Sequence, residues 1–178
     1  DFFGSHRSNV VYESTSDDLR VVDATTPAGH SDSHSVTTRR LEFIGSASMS
    51  QTVVALRSGS ERVDHSALQM AVHKQMAILF HAAMASSCTN GSASQLRSYR
   101  LAVVGAGGCA LPSHLLHVLN QTDGKYLHVD AVDSNPAVIE LARRYFGAVF
   151  TEDPHETHRK FAKSGMRVVE KDGVTYLR

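Results

Sequence analysis

Over the first third of the chain, apolar residues come in short runs separated by polar turns. Residues 9–13 (NVVYE) and 19–23 (LRVVD) flank STSDD, and residues 39–44 (RRLEFI) and 52–57 (TVVALR) flank GSASMSQ. Runs of this length, rich in Val and Leu and bounded by Ser, Asp and Gly, predict two β-hairpins. Leu41 and Phe43 alternate with Arg40 and Glu42, which predicts a sheet with one face toward water. Residues 24–38 (ATTPAGHSDSHSVTT) have no period and few apolar groups, so a mobile loop is expected between the hairpins.

From Asp64 the period lengthens. Leu68, Val72, Met76, Leu79 and Ala83 fall on one helix face and are expected to point inward, until residues 86–94 (SSCTNGSAS) end the helix. The methionines read as core packing rather than as a cofactor box. After residue 100, strands and helices alternate. LAVV (101–104) precedes a helix beginning near Pro112, with Leu111, Leu115, Val118 and Leu119 inward. LHVDAV (127–132) precedes a second helix with Asn135 as cap, Pro136 in the first turn and Gly147 past its end. Asp153, Pro154 and Glu156 open a short third helix that Gly165 closes, and MRVVE (166–170) follows as the third strand. This β-α-β-α-β order predicts an α/β fold with a doubly wound parallel sheet, whose ligands gather at the carboxyl ends of the strands.

Composition narrows the function. A chain of 178 residues with 42% apolar content can bury a core of its own. Eighteen basic residues balance eighteen acidic ones, so no overall field favours nucleic acid or an anionic membrane, and neither is expected as a partner. The longest apolar stretch is interrupted by His81 and is too short to span a bilayer. Cys88 and Cys109 form no CxxC pair and suit a reducing compartment, so a cytoplasmic location is expected. The chain starts without Met and is expected to belong to a longer one.

The chemistry concentrates after the first parallel strand. Gly105, Ala106, Gly107 and Gly108 form its turn, and glycine there lets a ligand approach bare backbone. GAGGCA also satisfies the dinucleotide pattern G-x-G-x-x-G/A, so NAD is one candidate. Asp133, followed by Ser134, stands at the end of the second strand, where an acidic residue grips ribose hydroxyls. That feature serves NAD and S-adenosylmethionine alike. Its plain alternative is a residue that starts the next helix turn. Asp172 and Gly173 follow the third strand, where a carboxylate can accept from an adenine amino group.

With glycine, carboxylate and carboxylate at three strand ends, the sequence resembles class I S-adenosylmethionine-dependent methyltransferases, in the branch with spermidine-synthase-like folds. VVGAGGCALP is similar to their first motif, VDAVDSNPAVIELARRYFG to their second and VVEKDGVTYL to the one that contacts adenine. Upstream, RRLEFIGSASMSQTVVAL and the helix containing HKQM (73–76) resemble the C-terminal domain of the methyltransferases that modify lysine and the N-terminus of elongation factor 1-alpha. The resemblance covers residues 38–178. The strand pattern makes residues 1–60 an N-terminal β-hairpin region, and the resemblance implies 61–178 as the first half of a Rossmann-like S-adenosylmethionine-binding domain. It further implies that Gly105 and Gly107 meet the methionine and ribose of the cofactor, that Asp133 holds the ribose and that Asp172 reads adenine. The acceptor would be a protein amine, with a translation factor as the model partner. Spermidine-forming relatives carry an Asp directly after the glycines; Gly108 and Cys109 stand there instead, which counts against aminopropyl transfer.

Other features carry less. His114 and His117 in HLLH, and His155 and His158 in HETH, each share a helix face, but neither pair has a third ligand nearby, and no metal is expected. His30 and His34 belong to the polar loop, and His73 reads equally as a core-edge residue or a substrate contact. Cys109 has no base that would make it a nucleophile. Catalytic residues are not assigned and are expected beyond Arg178, because the strand over 101–104, buried on both faces, should need a further neighbour. Self-association through that edge is the expected consequence, and a non-catalytic half-domain serving assembly is the alternative from another class.

Overall fold

The computed structural model describes residues 7–26, 35–46, 49–86, 97–121, 125–151 and 164–178. Five antiparallel strands form one sheet in chain order: β1 (Arg7–Ser14), β2 (Leu19–Thr26), β3 (Val36–Phe43), β4 (Ser50–Leu56) and the short β5 (Val63–Asp64). Three parallel strands, β6 (Arg97–Val104), β7 (Lys125–Asp133) and β8 (Gly165–Glu170), form a second sheet with β7 in the centre. The helices are α1 (Ala71–Ser86), α2 (Ala110–Leu119), α3 (Pro136–Tyr145) and the single-turn α4 (Gly173–Leu177). The chain is therefore a mixed α/β protein. None of the described helices is long and apolar enough to cross a membrane.

Both predicted hairpins form, but β2 also pairs with β3 from Leu19↔Phe43 to Thr26↔Val36, so they merge into one sheet. The loop expected over 24–38 is thereby shortened. Ala24 to Thr26 and Val36 to Thr38 pair with one another, and the Thr25 and Thr37 hydroxyls meet at 3.0 Å. The β-branched threonines suit a pleated strand whatever their polarity. Residues 27–34, with His30 and His34, lie outside the described residues. A second correction concerns the face expected to be wet. Glu42 is only 5% exposed and accepts from Arg20 Nε and Nη2 at 3.0 and 2.9 Å. Pairing, rather than solvent, carries that charge.

The antiparallel sheet is docked on the helices. Leu19, Val21 and Leu41 are fully buried and pack in one cluster with Ala110 of α2, Val138 and Leu141 of α3, and Phe146. Arg39 ties the junction: Nε and Nη2 grip the Asp23 carboxylate at 2.8 Å each, while Nη1 donates to the carbonyl of Tyr145 at the end of α3. Residues from both sides of position 60 thus share one core.

In the parallel sheet, Leu127, Val129 and Met166 pack in one cluster with Leu111, Leu115 and Leu119 of α2, the predicted inward face; Val118 is half-buried. The other face differs from expectation. Along β6, Tyr99, Leu101 and Val103 pack on the core, whereas Ala102 and Val104 are exposed, Val104 by 46%. The strand is covered on one face only, a distinction that an apolar run cannot make by itself. It is also, with β8, one of the two outer strands of its sheet among the described residues.

Helix α1 presents a different stripe from the one predicted. Leu68, just before it, is buried, but Val72, Met76 and Leu79 are 45%, 48% and 69% exposed and Ala83 is exposed too. Ala77 and Met84 are buried instead, with Phe80 packed beside them. Positions 77, 80 and 84 have the same helical spacing as the predicted set, and in a helix apolar on several sides the period fits both. Helix α3 follows its signals: Asn135 Oδ1 accepts from Ala137 N at 2.9 Å, Pro136 opens the first turn, and Gly147 follows at φ +66°. Gly165 opens β8 opposite His128. The third helix expected from Asp153 falls outside the described residues.

Candidate functional site

Parallel pairing brings the three carboxyl ends together. Val104 lies opposite Val132 and Asp133 opposite Glu170, and Lys171 N–H donates to the carbonyl of Asp133 at 3.1 Å, drawing the segment that carries Asp172 toward β7. At the end of β6 the chain turns sharply, with positive φ at Gly105 (+70°), Gly107 (+53°) and Cys109 (+58°). The N–H groups of Gly105 and Ala106 both donate to the carbonyl of Val132, at 2.9 and 3.0 Å. Gly107 N–H donates to Asp133 Oδ2 at 3.0 Å, and Gly108 N–H to the hydroxyl of Thr52 at 2.8 Å. Two side chains, one from each sheet, therefore hold the turn.

The glycines divide by what a side chain on each would meet. A Cβ on Gly107 would stand 2.8 Å from Thr52 Oγ1, and one on Gly108 would stand 2.9 Å from Thr52 Cγ2 and 3.0 Å from the Phe146 ring. Both are bare because the chain packs there. Gly105 has no heavy atom within 4 Å of that position, so its bare side is open. Thr52 is 1% exposed and was not singled out by sequence; as the first residue of an apolar run it gave only a strand signal.

Asp133 holds backbone on two sides: Oδ2 accepts from Gly107 N–H in the glycine turn, and Oδ1 accepts from Asn135 N–H at 3.1 Å, as a residue that starts the helix turn would. A carboxylate offers about four lone-pair positions, so each oxygen keeps accepting capacity. Asp172 caps α4, with Oδ1 accepting from Val174 N–H at 3.0 Å and Thr175 N–H at 3.1 Å. Gly173 is bare for packing, since a Cβ there would collide with Val104 Cγ1. Ser134 is exposed beside Asp133, and Ala106 is buried in the core cluster. Cys109 is 2% exposed; burial, with the charge of Asp133 added, pushes its thiol up to about 12. It stays protonated and is no nucleophile.

The histidines have separate partners. His114 Nδ1 meets the carbonyl of His65 at 2.8 Å and His117 meets the Gln121 amide at 3.1 Å. Among the described residues no three His, Cys, Asp or Glu side chains gather as metal ligands; His155 and His158 lie outside them. Burial lowers the pKa of His73, which keeps it neutral near pH 7. Sequence reasoning also passed over a cluster on the face of the parallel sheet opposite Leu127 and Val129. Arg167 grips Asp130 through Nε and Nη2 at 2.5 and 2.7 Å, and the Tyr176 hydroxyl donates to the same carboxylate at 2.5 Å. Burial pushes the Asp130 carboxyl up, but these partners outweigh it and the net shift is down. The alternation in LHVDAV, which sets Asp130 opposite in direction to Val129, was the available signal.

No family model, no curated protein and no solved structure matches the chain.

Proposed function

We propose that the chain is an S-adenosylmethionine-dependent methyltransferase of Rossmann-like, spermidine-synthase-like architecture, acting in the cytoplasm on a protein amine, at lysine or an N-terminus. The observation that carries this reading is the open side of Gly105 beside a strand-end carboxylate, Asp133. Bare backbone at positive φ is a place that a cofactor can approach and a side chain cannot fill. Asp133, already oriented by two backbone N–H groups, is ready to accept from ribose hydroxyls with its remaining lone pairs. Asp172, just past the end of β8 on the segment that Lys171 bonds to Asp133, would accept from the adenine amino group. The residues thus fit the cofactor, which supplies a methyl group on a sulfonium. What this part of the protein contributes is alignment, since methyl transfer depends chiefly on in-line approach. Gly108 and Cys109, in the position of the acid that aminopropyltransferases use, favour methyl transfer over that alternative.

A second reading, a non-catalytic unit that serves assembly, is favoured by the outer position of β6 and the exposure of Ala102 and Val104. Calorimetric titration of the chain with S-adenosylmethionine, its decarboxylated form and NAD separates the readings. S-adenosylmethionine should bind at least about tenfold more tightly than the other two, a difference of about 1.4 kcal/mol. Asp133→Ala should remove about 1.5 to 3 kcal/mol of that affinity, the range for hydrogen bonds to a charged group. Preference for NAD would sink the methyltransferase reading, and no binding by any of the three would favour assembly.

A further inference from the structure

Away from the glycine turn, a cavity of about 420 Å³ opens between the antiparallel sheet and the end of α3. Its polar lining comes from three separate segments: Arg39 of β3, Glu61, Arg62 and His65 around β5, and Arg144 and Tyr145 of α3. The volume lies within the range of small-molecule sites, about 300 to 1,000 Å³. It shares no residue with the turn, Asp133 or Asp172.

Arg39 forms the buried part of this wall, at 5% exposure. A guanidinium has about five N–H donors. Three are used, two on Asp23 and one on the Tyr145 carbonyl, which leaves donors on Nη1 and Nη2. The ion pair fixes the group so that it cannot turn away. Arg62 and Arg144 stand exposed in the same lining, the latter with its guanidinium 5.3 Å from the Tyr145 ring centre. Glu61 is the one carboxylate of the lining, and burial lowers the pKa of His65, leaving it neutral near pH 7. Asp23 and Glu61 both act on Arg39; two carboxylates against three arginines leave one positive charge over.

We propose that this cavity is a binding site for a small oxyanion, the carboxylate or phosphate group of a low-molecular-weight ligand, received by Arg62 and Arg144 against the fixed guanidinium of Arg39. Planar guanidinium groups match both anions through paired hydrogen bonds. With one charge in excess and an open rim, binding should be modest and weakened by salt.

The test is titration of the chain with inorganic phosphate and with citrate at constant ionic strength, followed through backbone amide signals. At least one probe should bind saturably, with shifts centred on residues 61–65 and 144–147. A stronger response to phosphate assigns phosphate esters, and a stronger response to citrate assigns carboxylates. The Arg62→Ala, Arg144→Ala double variant should lose about tenfold or more in affinity while unfolding at the same temperature, because the Arg39 to Asp23 pair is untouched. Glu61→Gln should tighten binding by removing the opposing charge. No saturable binding of either probe, or equal binding by the wild type and the double variant, overturns the proposal. Neither outcome depends on whether S-adenosylmethionine binds at Gly105.

Discussion

Carboxylates within strands and carboxylates at the ends of the parallel strands are held differently; Asp130, inside β7, is gripped by Arg167 of β8. In the antiparallel sheet, Asp23 and Glu42 lie within strands, and each is gripped by an arginine of the neighbouring strand. At the carboxyl ends of the parallel sheet, Asp133 and Asp172 take backbone N–H groups and, among the described residues, pair with no cation. A carboxylate closed by an arginine fork is committed to structure. One that holds only amides retains charge and lone pairs for a ligand. The contrast separates carboxylates closed by a guanidinium from carboxylates that still have charge and lone pairs to offer.

The largest effect is expected from breaking the closed pair. Asp23→Ala leaves the nearly buried Arg39 without its counter-charge and should cost about 3 to 5 kcal/mol in urea unfolding, the range for opening a buried ion pair. A loss well below about 1 kcal/mol would mean that Arg39 is solvated after all, and the contrast between strand interiors and strand ends would fail.

The glycine turn offers the next test, because Gly105 and Gly107 both have positive φ but opposite surroundings. Gly107→Val drives a side chain into Thr52 and should destabilise the fold by about 3 kcal/mol, combining strain with overpacking. Gly105→Ala meets open space and should cost only about 1 to 2 kcal/mol of backbone strain. Cofactor affinity should nevertheless fall more in the Gly105 variant than its stability suggests. Equal loss of stability in both variants would show that the open side of Gly105 is filled.

How much of this was legible depended on whether a signal was local. The Asn135 cap, the Pro136 start and the Gly147 stop are local, and they stand where the sequence put them. The strand pairs and the parallel order follow from period and turn chemistry, which also act over short distances. The buried stripe of α1 was not legible, because Val72, Met76 and Leu79 repeat as well as Ala77, Phe80 and Met84, and only a neighbouring helix chooses between them. The glycines were legible as a turn but not as a division of roles. That division depends on Thr52, which is more than fifty positions away in sequence and 2.8 Å away in space. Likewise, the cover on one face of β6 is a property of the whole sheet and not of LAVV.

The smallest effect concerns acid. Burial lowers the pKa of His65, His73 and His128, so each takes up a proton more readily when unfolded. Their contribution is therefore present above the ordinary histidine value of about 6.5 and is lost as pH falls through the lower folded values. His128 lies in β7 and His73 in α1, while His65 follows β5 where it meets α2. Melting followed between about pH 7.5 and 5.5 should show a loss of a few degrees. Amide exchange in β7 should quicken before that in β2 and β3. Simultaneous quickening in both sheets would assign the acid sensitivity elsewhere.

The central claim is that the open Gly105 and the amide-held Asp133 receive the cofactor. The direct measurement is the amide spectrum of the labelled chain titrated with S-adenosylhomocysteine. The account predicts saturable shifts at Gly105, Ala106, Asp133, Ser134 and Asp172, a smaller shift at Gly108 through its bond to Thr52, and none in β1 or β2. An unchanged spectrum, or shifts centred on the antiparallel sheet with Gly105 and Asp133 unmoved, would contradict it.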